Sequence, residues 1–178
     1  MTTKYTPKDV YNFARDGDVD ELIIALNQGH NSTNWYKNKD GITALHWAAK
    51  KGFINIVEIL LNRGIDISSK DNNGNTALHV AAVRGFISIV EILLNRGIDI
   101  NSKNIHGITA LHLAAHKGFT NIVEILLNRG IDISSKNKNG ITALHWAAQE
   151  GHINIVEMLL DRGIGQYLAS FLLGKETV

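Results

Sequence analysis

From residue 38 the hydrophobic and polar positions fall into a short cycle. Asn38-Lys39-Asp40-Gly41 has Asn at its first position and Gly at its fourth, the preference of a type I turn. Thr43 follows as a helix N-cap. Leu45, Ala48 and Ala49 then make a narrow stripe of small and apolar residues, which predicts a short helix that others can approach closely. Gly52 ends it, with Lys50 and Lys51 in the last turn where cations suit the helix dipole. Ile56, Val57, Ile59, Leu60 and Leu61 give a second helix with a broader apolar face, interrupted by Glu58 and stopped at Gly64. The alternation in Ile65-Asp66-Ile67 predicts an extended arm leading to the next turn.

This cycle repeats. Thr-Ala-Leu-His starts at Thr43, Thr76, Thr109 and Thr142, a constant spacing of 33 residues. A fixed period in this range signals stacked supersecondary units. Helices of two to three turns cannot bury their apolar faces alone, but stacking buries both. The frame resembles the ankyrin repeat, whose core pattern is Thr-Pro-Leu-His-x-Ala. Ala44, Ala77, Ala110 and Ala143 stand where that pattern has proline, a change that alters rigidity at the helix start and leaves the fold intact. The resemblance implies an all-α solenoid of turn–helix–helix units with short finger-like β-turns. The internal repeats are 38–70, 71–103, 104–136 and 137–164.

The ends depart from the frame. Ala14, Gly17, Leu22, Leu26 and Gly29 align with Ala49, Gly52, Val57, Leu61 and Gly64 at an offset of 35, so residues 1–37 read as a degenerate capping repeat with a longer connector over 30–35. Thr6, Pro7 and Asp9 supply an N-cap, a first helical residue and a capping-box partner. Residues 165–178 are apolar and carry no turn signature. A short helix folded back over the last repeat is the expectation, with a self-associating end and an interrupted array as alternatives.

Composition narrows the function. The chain has 178 residues, 44% hydrophobic and 20% charged, with a net charge of +1. That describes one folded domain, with no apolar run of the roughly 20 residues needed to cross a bilayer. There are no cysteines, hence no thiolate metal site or cysteine nucleophile. The ladder His46, His79, His112 and His145 cannot share one metal ion. Equivalent atoms of stacked helices lie about 8–10 Å apart, whereas zinc–nitrogen bonds are about 2.0–2.1 Å. A structural role tying adjacent turns together fits these histidines better. No nucleophile–base set or phosphate-binding loop is present, so no enzyme activity and no cofactor are expected.

Differences between the copies separate scaffold from variable surface. They concentrate at the finger tips (Lys39, Asn72, Ile105, Lys138; then Asp40, Asn73, His106, Asn139) and at Ile42, Asn75, Ile108 and Ile141. They recur at the end of the first helix, in Lys50, Val83, His116 and Gln149 and in Lys51, Arg84, Lys117 and Glu150. Trp47 and Trp146 share a slot with Val80 and Leu113. The second helices barely differ. In the ankyrin architecture that the resemblance implies, the varying slots line the concave face, the family's usual partner-binding surface. The expectation is therefore a cytoplasmic, monomeric module binding another protein, one with an acidic surface given the lysines of this front edge. Nucleic-acid binding through the same basic strip is the alternative, and it lacks interleaved aromatic stacking residues.

Overall fold

The computed structural model describes residues 5–28 and 36–172, with side chains described as far as Gly163. Among the described residues there are ten α-helices and no strands. They run α1 (Pro7–Asp16), α2 (Val19–Asn27), α3 (Ala44–Lys51), α4 (Ile54–Asn62), α5 (Ala77–Arg84), α6 (Ile87–Asn95), α7 (Ala110–Lys117), α8 (Thr120–Asn128), α9 (Ala143–Gln149) and α10 (Ile153–Leu172). Each consecutive pair forms one repeat. Its first helix stacks on the first helices of its neighbours and its second on the second helices.

Local chemistry sets the boundaries. Thr43, Thr76, Thr109 and Thr142 are extended N-caps, each joined to the histidine three residues on in a capping box. Thr6 does the same with Asp9, its backbone N–H donating to the Asp9 carboxylate at 2.8 Å. The first helices α1, α3, α5 and α7 stop at glycines in the left-handed conformation: Gly17, Gly52, Gly85 and Gly118. The fingers close on a side chain. The Asn38 carbonyl oxygen Oδ1 accepts from the backbone of Asp40 at 3.0 Å and of Ile42 at 2.9 Å, and Asp71, Asn104 and Asn137 repeat the arrangement.

One continuous core runs through the array. Leu45, Leu78 and Leu111 are buried together with Leu60, Leu93 and Leu126, and the Ala48–Ala49 pair and its equivalents let first helices approach closely. The aromatic residue at each return has a destination in the neighbouring repeat. The Phe53 ring lies against Gly17, Phe86 against Gly52, Phe119 against Gly85 and His152 against Gly118, each in the space a side chain there would occupy. The back face is laced by Arg63, Arg96, Arg129 and Arg162, which donate to Asn27, Asn62, Asn95 and Asn128 at 2.6–2.9 Å.

Two features differ from the sequence expectation. The connector is a turn rather than an extended arm, because the Asp66 carboxylate accepts from the Ser68 backbone at 2.9 Å and from both serine hydroxyls. These bonds hold Asp66 well below the usual carboxylate range, the Ser68 hydroxyl contributing most, and Asp132 with Ser134 behaves alike. The second difference lies in α10, which runs on past Gly163 to Leu172 as one helix instead of stopping and folding back. In the earlier repeats the turn after the stop is held by Asp66, Asp99 or Asp132, and Gly165 occupies that slot. The 30–35 connector and residues 173–178 lie outside the described residues.

Candidate functional site: the inner face of the array

Three of the four frame histidines, His46, His79 and His112, each join two repeats. The Thr43 N–H donates to His46 Nδ1 at 3.2 Å, which makes Nδ1 the acceptor, and Nε2–H donates to the Asn75 carbonyl at 2.9 Å. His79 reaches Ile108 at 3.0 Å and His112 reaches Ile141 at 3.1 Å in the same way. Burial pushes all three below the ordinary imidazole value, with the bonds to the next carbonyl opposing the shift. These rings are neutral scaffold, not chemistry.

A pH dependence follows from that direction. The unfolded chain takes up protons near pH 6.5 while the buried rings stay neutral, so their stabilisation is complete above about 6.5 and fades as pH falls below it. Thermal unfolding at pH 7.5 and 5.0 should show a midpoint several degrees lower at pH 5.0, about 2–8 °C per kcal/mol lost. The lowered carboxylates titrate further down and do not contribute in this window. A flat profile would mean that the three rings take up protons as readily in the fold as in the unfolded chain.

Neighbouring first helices contact each other more extensively than neighbouring second helices do, their alanine faces allowing the closer approach. The residues singled out by sequence comparison take the following places. Lys39, Asn72, Ile105 and Lys138, with Asp40, Asn73, His106 and Asn139, are exposed at the finger tips. Adjacent tips are tied backbone to backbone, the Asn72, Ile105 and Lys138 N–H groups donating at 2.9 Å to the carbonyls of Asp40, Asn73 and His106. Ile42, Asn75, Ile108 and Ile141 are half-buried at the finger bases. Lys50 and Gln149 are exposed and Val83 and His116 half-buried along the first helices. Lys51, Arg84, Lys117 and Glu150 are exposed at the helix ends, next to the returns.

Trp47, Val80, Leu113 and Trp146 share one slot of the repeat frame. All four are half-buried and form one apolar row on the stacked first helices. The row is anchored at both ends. Trp47 Nε1–H donates to the Tyr11 hydroxyl at 2.6 Å, and Lys50 Nζ stands 4.5 Å above the indole. Trp146 meets the rings of His112 and His116 at 5.5 and 5.4 Å, and His116 Nδ1 lies 3.4 Å from Glu150. Tyr11 had no sequence signal, since its slot in the frame is a histidine position. Below the row, Lys70 donates to the Lys103 carbonyl at 3.1 Å, and Lys37, Lys103 and Lys136 occupy the same exposed slot.

This geometry has known counterparts. The profile of ankyrin repeats in three copies matches residues 11–104 and 103–168, and the chain belongs to the ankyrin-repeat family. Ankyrin repeats are generally protein–protein interaction modules. Among curated proteins, the 26S proteasome non-ATPase regulatory subunit 10 of Rattus norvegicus is 40% identical over 63 residues, 35% of this chain and 27% of that one. Acyl-CoA-binding domain-containing protein 2 of Arabidopsis thaliana is 33% identical over 57 residues, 32% of this chain and 16% of that one. The chain therefore matches only a minor part of the length of these relatives. Among the described residues no helix is long and apolar enough to cross a membrane.

Proposed function

We propose that this chain is a non-catalytic interaction module that binds another protein through its concave face of finger tips and first helices. The observation that carries the reading is the division between slots. The Ala44 and Ala48 slots are identical and buried in all four copies, whereas the differing slots of the finger tips, finger bases and first-helix ends are exposed or half-buried. The apolar row from Trp47 to Trp146 supplies the desolvated centre that a protein interface needs, and the lysines around it favour an acidic partner. The equally exposed back carries Glu58, Glu91, Glu124 and Glu157 without variation.

Capture from cell extract with two immobilised variants tests this. One changes the inner face (Lys50→Glu, Leu113→Glu, Trp146→Ala) and the other the back (Glu58→Lys, Glu91→Lys, Glu124→Lys). The bound protein should be retained by wild type and the back variant, and lost about tenfold or more from the inner-face variant. The reverse pattern would remove the concave-face assignment.

A further inference from the structure

A second surface lies along the edge where first helices return to second helices. Three equivalent grooves of about 310, 210 and 270 Å³ open there, between the returns at Gly17 and Gly52, Gly52 and Gly85, and Gly85 and Gly118. Ile56, Ile89 and Ile122, all fully buried, form their floors. Ile54 and Ile87 rise between them as ridges, 41% and 36% exposed. Each keeps more than a third of its surface open to solvent at a helix start.

Charge runs in parallel. Lys51, Arg84 and Lys117 each immediately precede a groove-lining glycine and are exposed, and among the described residues none forms an ion pair, although Lys51 is near enough to help lower the Asp16 carboxyl. The same slot in the outer repeats holds Asp16 and Glu150, engaged by Arg15 at 2.7 Å and by the His116 ring at 3.4 Å. The edge is thus basic in the middle and closed by acids at both ends.

The spacing selects the occupant. Stacked helices lie about 8–10 Å apart, so the grooves recur at that interval. A polyproline II strand advances about 3.1 Å per residue and presents every third side chain to one side, a repeat of about 9.3 Å. A β-strand repeats on one face at about 6.6–6.8 Å and falls out of register. An α-helix returns to a similar spacing only after seven residues, about 10.5 Å, and sets its intervening turn against the Ile54 and Ile87 ridges. We propose that the return edge binds an extended polyproline II segment of a partner protein, with an apolar side chain at every third residue for the grooves and acidic residues facing Lys51, Arg84 and Lys117. The grooves share no residue with the apolar row from Trp47 to Trp146, while Lys51, Arg84 and Lys117 border both surfaces.

Fluorescence polarisation with a labelled peptide of four Leu-Pro-Glu triplets, against the full chain, tests the proposal. A peptide of the same composition in scrambled order and a helical peptide with leucine at every seventh position are the comparisons. The triplet peptide should bind at least about tenfold more tightly than either, and weaken as NaCl rises from about 50 mM to about 0.5 M. Ile54→Glu with Ile87→Glu should cost about tenfold or more, as should Lys51→Glu with Arg84→Glu and Lys117→Glu, while Leu113→Glu with Trp146→Ala leaves the affinity unchanged. Equal binding of the scrambled peptide, tighter binding of the helical one, or insensitivity to both edge variants would overturn it. Loss of binding with Leu113→Glu and Trp146→Ala would place the peptide on the inner face and likewise overturn it.

Discussion

His79→Ala is expected to destabilise the array by about 2–4 kcal/mol, whereas His145→Ala should cost under about 1 kcal/mol. The two side chains occupy the same slot and make the same local bond to the preceding threonine, at 2.9 Å for Thr76 and 2.7 Å for Thr142. They differ in what lies beyond. His79 is 1% exposed and its Nε2–H is satisfied by the Ile108 carbonyl of the next repeat. Removing the ring leaves the buried Thr76 N–H without its acceptor, strips the Ile108 carbonyl of one of its two donors (the Asn104 N–H remains) and opens a void between repeats. His145 is exposed, and no described bond takes its ring to a following unit. Urea unfolding of both variants, read by circular dichroism, compares them directly. Equal losses would mean that the ring acts within its own repeat, against the bridging geometry.

Gly85→Ala is expected to cost about 2–4 kcal/mol and Gly97→Ala only about 1 kcal/mol. Both glycines are left-handed, with φ of +79° and +82°, so any side chain meets the same backbone strain. A methyl on Gly85 would also stand 2.9 Å from Phe119 of the next repeat, while one on Gly97 meets nothing within 4 Å. The difference between the two variants isolates the ring-on-glycine contact that recurs at every described interface. Matched losses in thermal unfolding would show that the ring moves aside without cost.

Much of this architecture can be read from one strand of text because each signal is local. The period, the threonine caps, the glycine stops and the apolar faces all sit within a dozen residues of their effect. The destinations of Phe86 and His79 cannot be read so, since their partners Gly52 and Ile108 lie in other repeats and depend on how closely the helices stack. The connector turn is hidden by Ile65 and Ile67. Their alternation suggests an extended arm, while the Asp66 side chain between them folds the segment back on Ser68. At Gly163 the residue type repeats but its context does not. Gly165 has no carboxylate to hold a turn, and α10 continues.

The differing slots of the inner face were legible as a set before any coordinates, since a register of four copies shows which positions vary. That Trp47, Val80, Leu113 and Trp146 line up as one half-buried row is set by the stacking of the first helices. Tyr11 was out of reach of that register, because the cap repeat puts a tyrosine where the frame has histidine and uses its hydroxyl to hold the Trp47 indole.

The claim that identical slots build the scaffold while differing slots dock a partner is tested most directly by amide hydrogen exchange. The chain is compared free and bound to the protein it captures. Slowed exchange is predicted in the fingers and first helices, over 38–52, 71–85, 104–118 and 137–150, with the second helices α4, α6 and α8 unchanged. Protection confined to those second helices would contradict it.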